Sequence, residues 1–279
     1  MISEVLHIFK TNRKIRIILI VILLAVGIFW VFMQDIFQKD VADLPKIIKR
    51  GWLAVVVDDS STGFMMRNDS VYGFEYEIIK AFADTLGVEL RITRNNDIKK
   101  ALESLKKGEY DLVVKFIPNT AEAQQGVTLT QPIFKTRQVL VQRKNQNTDS
   151  LSRYISKQYE LGNDTVYLPS NSLYRQRIEN LMYEIADTIF IVERSNVSTE
   201  AMVAMVAEGK IPRTICPEIF ANRYEKIYPN LDFSLPVSFT QEQCWAVNVH
   251  APHLKEKINN FIADFQGSMA YWELCRKYY

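Results

Sequence analysis

The spacing of apolar and polar positions changes several times along the 279-residue chain, and each change marks an element. The first signal is an uncharged apolar run, Ile17 to Met33, preceded by Lys10, Arg13, Lys14 and Arg16. As a helix, such a run spans about 25 Å, enough to cross a bilayer core once Phe37 and the interface are included. It is longer than a signal-peptide core. The segment Trp30 to Asp35 offers no small-x-small cleavage site and no cysteine for lipidation. The pattern predicts a transmembrane signal anchor over residues 17–37, with residues 1–16 as a cytoplasmic basic N-terminus and everything after Gln34 outside.

A short spacer, residues 38–43, leads into alternating strand and helix signals. Leu53 to Val57 reads as a strand that enters the polar turn Asp58-Asp59-Ser60-Ser61-Thr62-Gly63. The chain returns through Gly73 to an amphipathic helix, Glu75 to Leu86. Asp97 starts another helix, in which Ile98, Ala101, Leu102 and Leu105 share a face, and Gly108 ends it. Tyr110 to Phe116 reads as a strand, Pro118-Asn119-Thr120 as a turn and Thr136 to Arg143 as one more strand. Lys144 to Ser150 has linker composition.

A second set begins at Thr165, with strand Val166 to Leu168, loop Pro169 to Ser172, helix Leu173 to Glu184 and strand Ile189 to Val192. Ser198 or Thr199 caps a helix that Gly209 terminates. Cys244 to Val247 reads as a returning strand. Leu254, Ile258, Phe261, Ile262 and Phe265 mark one face of a long helix. This alternation predicts α/β layers with largely parallel sheets. Two such sets predict two lobes: residues 44–140 plus 243–279, and residues 141–242. The chain would cross at about Gln138 to Arg143 and return at about Phe239 to Val247.

Composition narrows the function classes. Hydrophobic residues make up 48% of the chain, enough for one large or two small cores. The net charge of +2 is misleading, because beyond residue 16 the chain carries 30 basic against 31 acidic groups. No basic field remains for nucleic acid, and no acidic block suggests a cation sink. Cys216, Cys244 and Cys275 match no zinc or redox spacing and read as buried free thiols, with one disulfide at most. The histidines of His250-Ala-Pro-His253 are separated by a proline, so no metal is expected. No cofactor is implied, and no Gly-x-Ser-x-Gly elbow supports hydrolase chemistry. Glu75 and Glu77 suit the positive end of a helix dipole and need no further role. Trp52, Trp245 and Trp272 read as core. The sequons at Asn68, Asn163 and Asn196 have meaning only in a eukaryotic secretory pathway.

Several segments carry a family resemblance. Leu44 to Ile92, Tyr110-Asp-Leu-Val-Val, Asn119-Thr-Ala-Glu, Thr130-Gln-Pro-Ile-Phe and Gln138 to Lys144 resemble the extracytoplasmic solute-binding proteins of family 3. Met205 to Ile211, Tyr228-Pro-Asn-Leu and Trp272 to Tyr279 are similar to the second lobe and tail of that family. The similarity is strongest to the substrate-binding-like module of the F-type membrane-bound lytic murein transglycosylases. It implies an α/β, two-lobed periplasmic-binding-protein-like (type II) fold, here preceded by one transmembrane helix. The location implied is the bacterial inner membrane, with the C-terminal domain in the periplasm.

The resemblance also implies a cleft between the lobes. Its expected ligand-binding residues are Asp58, Ser60 and Ser61, then Pro118, Asn119 and Thr120, then Ser170, Asn171 and Ser172, and Glu218. Amino-acid-binding members hold the ligand carboxylate with an arginine after the first-lobe Thr-x-Glu and its ammonium with a second-lobe aspartate. Here Thr120-Ala-Glu122 is followed by Ala123 and Gln124, and Pro217 stands at the aspartate position, with Glu218 one residue on. Each lost charge-assisted hydrogen bond costs on the order of 1.5–3 kcal/mol. Plain amino-acid capture is therefore not expected.

The expected function is non-enzymatic: a membrane-anchored sensor closing on a small polar ligand, a muropeptide fragment or modified amino acid. Its partners would be that ligand, the inner membrane and a permease or cell-wall enzyme, with no nucleic acid. The alternatives are a tethered receptor of an amino-acid-type ABC importer, a transglycosylase-related protein lacking its catalytic domain, or a degenerate interaction scaffold. The sequence ends with the module, so the glycan-cleaving activity of the lysozyme-like domain is not expected.

Overall fold

The computed structural model describes residues 17, 20–27, 41–68, 70–144 and 153–279. Residues 1–40 and 41–279 form separate units. Residues 17 and 20–27 are helical, with exposed apolar side chains. Residues 1–16 and most of the anchor expected over 17–37 lie outside the described residues. Among the described residues no helix is long and apolar enough to cross a membrane.

Residues 41–279 build two sheets. The first contains β1 (Trp52–Val57), β4 (Glu89–Arg94), β5 (Leu112–Pro118), β6 (Val127–Leu129) and β13 (Gln241–Asn248), in the order β4-β1-β5-β13-β6. A short strand, β7 (Phe134–Thr136), also pairs with β13. The second runs β10 (Phe190–Arg194), β9 (Thr165–Pro169), β11 (Arg213–Pro217), β8 (Gln138–Arg143) and β12 (Leu231–Asp232). A hairpin of β2 (Met65–Arg67) and β3 (Ser70–Tyr72) stands apart.

In each sheet the strands linked through helices are parallel, β1 with β4 and β5, β9 with β10 and β11. The strands that carry the chain between lobes, β8 and β13, run antiparallel to their neighbours. A crossing strand enters each sheet from the opposite side, so the sheets are mixed where a largely parallel pattern was expected.

Helices cover both faces of each sheet, as strands buried on both sides require. On one face of the first sheet lie α2 (Phe74–Leu86), α7 (Pro252–Gln266) and α8 (Met269–Tyr278). Their apolar residues close a core with Val55, Val57, Leu112 and Trp245. On the other face α3 (Ile98–Lys106) packs Ala101, Leu102 and Leu105 against Val56, Val113 and Ala246. In the second lobe α5 (Thr199–Ala207) and α6 (Ala221–Ile227) cover one face, and α4 (Tyr174–Ile185) the other.

Local chemistry explains most boundaries. Asp97 accepts from the Lys100 N–H at 3.1 Å and caps α3, and Ser198 accepts from Ala201 at 3.2 Å and caps α5. Asp43 serves two helices at once, accepting from the Leu44 and Leu254 N–H groups, each at 2.8 Å. The first of these belongs to α1 (Leu44–Arg50). Residues 41–43, expected as spacer, are therefore part of the folded body; residues 38–40 lie outside the described residues. The other Asp43 oxygen meets His253 Nδ1 at 2.6 Å.

The single strand expected from Thr136 to Arg143 is broken at Arg137. Thr136 pairs in the first sheet and Gln138 in the second. The Gln138 N–H donates to Ser238 Oγ at 2.8 Å, and β13 begins only at Gln241. The change of lobe thus lies at Arg137 and at 239–240, just ahead of the expected 140/141 and 242/243 boundaries. Both halves of the broken strand are extended and apolar, so their pattern carries no mark of the break. All three cysteines are free thiols, with Cys216 and Cys244 buried. Trp245 is fully buried, whereas Trp272, expected in the core, is 60% exposed.

Candidate functional site

The turn after β1 is held by two close backbone approaches. Gly73 has φ +148°, and a Cβ there would lie 2.1 Å from the Gly63 carbonyl oxygen. At Gly63 a Cβ would lie 2.4 Å from the Asp58 carbonyl oxygen. Only glycine satisfies either position. Hydrogen bonds then lock the turn to the start of α2: Phe64 N–H to Asp58 C=O at 3.0 Å, Glu75 N–H to Thr62 C=O at 3.0 Å, Tyr76 N–H to Gly63 C=O at 3.2 Å. This fixes the Asp58 side chain at the end of β1, facing β5.

Between the lobes lies a cavity of about 90 Å³. From the first lobe it is lined by Asp58, Ser60, Thr62, Asn96 and Lys115 with Ile98 and Phe116. The second lobe supplies Ser172, Tyr174, Ser198, Thr199 and Glu200 with an apolar floor that includes Pro217, Phe220 and Tyr224. Lys115 rises from the middle of β5, is almost wholly buried, and pairs through Nζ with Asp58 Oδ1.

Beneath this pair sits Glu75, only 1% exposed. Burial, followed by the Asp58 charge, pushes its carboxyl well above the ordinary range, against the opposing pull of Lys115 and Trp245. The Trp245 indole N–H faces it without reaching hydrogen-bond geometry, and Glu75 Oε1 has no hydrogen-bond partner. From the opposite lobe the Tyr174 phenol reaches the same cluster. Burial, then Asp58, Cys216 and Glu75, raise its pKa, and contact with the Gln138 side chain opposes the rise.

Two hydrogen bonds bridge the lobes beside the cavity. Glu200, in the first turn of α5, accepts from the Ser61 backbone N–H at 2.9 Å. Asn171 Nδ2 donates to Asp97 Oδ2 at 2.9 Å. Burial pushes the Asp97 pKa up, but the Lys100 N–H, Asn171 and the Lys100 ammonium outweigh it and hold that carboxyl below the ordinary range.

The structure brings Asp58, Ser60 and Ser172 to the cavity. Ser61 is 4% exposed and meets the other lobe through its backbone rather than its hydroxyl. Ser170 and Asn171 line a neighbouring groove with Asn96, Asp97 and Asn196. Pro118, Asn119 and Thr120 end β5 away from the cavity lining; Asn119 bonds Glu242 at 3.1 Å, and Thr120 Oγ1 accepts from the Ala123 N–H at 3.2 Å. Glu218 is also outside the lining. It is forked onto Arg137 at the lobe junction, with Nη2 to Oε1 at 2.6 Å. Its place outside the lining removes it as the replacement acid. Ala123 is buried among the apolar residues of the first lobe and presents no charge.

Sequence reasoning named none of Lys115, Tyr174 and Glu200, and gave Glu75 only to the helix dipole. Two signals were present. A lysine stands inside the otherwise apolar Leu112 to Ile117 run, and Glu75 shares a helical face with Ile78, Ile79 and Phe82, which places it inside. The inter-lobe reach of Tyr174 and Glu200 has no local signature. The asparagines of the three sequons adopt left-handed backbone conformations, φ 49°, 59° and 57°, a structural reason for asparagine there.

Comparison with known proteins agrees with this architecture. The family model for bacterial extracellular solute-binding proteins, family 3, matches residues 53–279. A membrane-bound lytic murein transglycosylase F of Desulfosudis oleivorans is 25% identical over 267 residues, covering 96% of this chain and 56% of the relative. One from Aeromonas salmonicida is 27% identical, covering 76% of this chain and 41% of the relative. The chain thus spans about half the length of these relatives. Among solved structures, a mutant of the Thermotoga maritima protein ArgBP superposes with a TM-score of 0.71 at 23% identity, over 84% of this chain and 98% of that one. The Neisseria gonorrhoeae solute receptor for L-cysteine gives 0.72 at 17% identity, over 85% and 93%. At these identities the structural likeness is one of fold.

Proposed function

Because the chain belongs to the bacterial extracellular solute-binding proteins, family 3, we propose that its two lobes close over a small polar ligand without transforming it. The observation that carries this reading is the cavity itself, with charged and hydroxyl groups of both lobes facing each other and direct bridges at Ser61–Glu200 and Asn171–Asp97. A cleft sealed by a few inter-lobe hydrogen bonds can exchange those bonds for ligand contacts at small net cost, which is what a closing sensor requires.

The ligand is a muropeptide fragment or a modified amino acid. Its location is the periplasmic side of the bacterial inner membrane, with residues 17–37 as a single-pass anchor and closure read by a permease or cell-wall enzyme. The similarity to the transglycosylase relatives supports the cell-wall connection, and the apolar run of Ile17 to Met33 supports the anchor. A tethered importer receptor is the second reading, favoured by the fold shared with solute receptors.

A thermal-shift screen of the full chain in detergent against amino acids and purified muropeptides tests the proposal. A ligand at a hundred times its Kd should add about 2.7 kcal/mol of stability. The absence of any stabilising compound would count against it. Release of anhydro-muropeptides from murein sacculi would contradict the non-enzymatic part.

A further inference from the structure

We infer that the Lys115–Asp58 ion pair is this chain's clamp for a zwitterion: Lys115 takes the ligand's carboxylate and Asp58 its ammonium, both from the first lobe. The inference rests on the solute-binding reading above and names the ligand class for the same cavity.

The positions that resemblance assigns to the clamp are spent. Ala123 is buried among apolar side chains, Pro217 has no charge and Glu218 lies outside the cavity lining. Among the described residues Lys115 is the one cationic side chain lining the cavity, and it stands 3% exposed in a strand whose other residues are apolar or half-buried. Apolar residues in place of both Lys115 and Asp58 would fill this wall at least as well, because a buried ion pair barely repays its desolvation. The pair at the cavity wall is therefore a chemical feature rather than a packing one.

An α-amino acid end laid head to tail across the pair gives a ring of four alternating charges, each with an opposite neighbour on either side. A lone anion would meet Asp58 and Glu200, and a lone cation would meet Lys115; only a molecule carrying both ends avoids a like-charge contact. Glu75 below keeps the count balanced, since its burial favours the protonated form. The Tyr174 hydroxyl from the other lobe stands beside the pair and supplies an uncharged hydrogen-bonding group.

The test is a crossed titration by calorimetry on the full chain in detergent. The probes are L-alanine, L-arginine, L-cysteine, diaminopimelic acid and a diaminopimelate-containing muropeptide, each free, N-acetylated and α-amidated. The wild-type protein should prefer free forms to either blocked form by about tenfold or more. Lys115→Met should erase the preference of free over amidated forms, and Asp58→Asn that of free over N-acetylated forms, while Lys115→Arg restores the first. Circular dichroism confirms that each variant folds. Binding by the wild type with an unchanged preference in Lys115→Met would overturn the clamp and leave the solute-binding reading standing. No binding by any probe would overturn both.

Discussion

The first-lobe wall of the cleft is built from inside the sheet outward, whereas the second-lobe wall is built from loop ends and helix starts. On one side buried Lys115 projects from β5 and pairs with Asp58 at the end of β1, while buried Glu75, in the first turn of α2, stands outside the lining. On the other side Ser172, Ser198, Thr199 and Glu200 sit where α4 and α5 begin, half in solvent. The difference assigns labour: buried Lys115 holds Asp58, whose side chain is 35% exposed, at a fixed place in the first wall, and under the proposed function the second supplies polar contacts that closure remakes. Substitutions in the backbone frame that seats the first wall should therefore cost folding stability, and those in the second wall should change the lobe equilibrium.

The largest effect is expected at the glycine that seats the first wall. Gly73→Ala combines a left-handed φ with a contact no Cβ can make, and should destabilise the protein by about 3 kcal/mol or more in urea unfolding. A cost near that of an ordinary surface change would mean that the turn relaxes easily and that Asp58 is not held as described.

Glu75 gives a pH signature. Its folded pKa lies above the ordinary 4.5, so the folded state binds the proton more tightly than the unfolded state does. Stability contributed by this group is present below pH 4.5 and falls as pH rises from there through the folded pKa. The difference in urea midpoint between wild type and Glu75→Gln should therefore shift in favour of the variant across that window. A difference that is flat with pH would show that Glu75 is not buried in its neutral form.

On the second wall, Glu200→Ala removes one bridge to the Ser61 N–H and should cost about 0.5–1.5 kcal/mol. Its clearer readout is a larger radius of gyration by solution scattering. The smallest effect belongs to Glu218→Ala. The Arg137–Glu218 pair is well formed but its side chains are 40% and 43% exposed, so less than about 1 kcal/mol is expected, with ligand binding unchanged.

What the sequence disclosed follows the same division. Helix caps at Asp97 and Ser198, the apolar faces of α3 and α7 and the resemblance over the folded part made the two-lobed α/β fold legible. Those features are local and repeat along the chain. The break at Arg137 was not legible because both of its flanks are extended. Of the cavity lining, Asp58, Ser60 and Ser172 were legible because turns at strand and helix ends announce themselves. The placement of Lys115 and Glu75 was not, because it depends on which strand and helix face each other. Glu218 drew notice by its place in sequence, and a neighbour from the lobe junction had already claimed its charge.

On the proposed function, a ligand draws the two walls together. Nitroxide labels at Lys99→Cys on α3 and Gln176→Cys on α4, both exposed, report the distance between lobes when Cys275, the only thiol not buried among the described residues, is replaced by serine. Pulsed dipolar spectroscopy should show a broad distribution that narrows and shortens when the most stabilising compound of the screen is added. A distribution that stays the same while that compound binds would mean that the lobes do not close on their ligand.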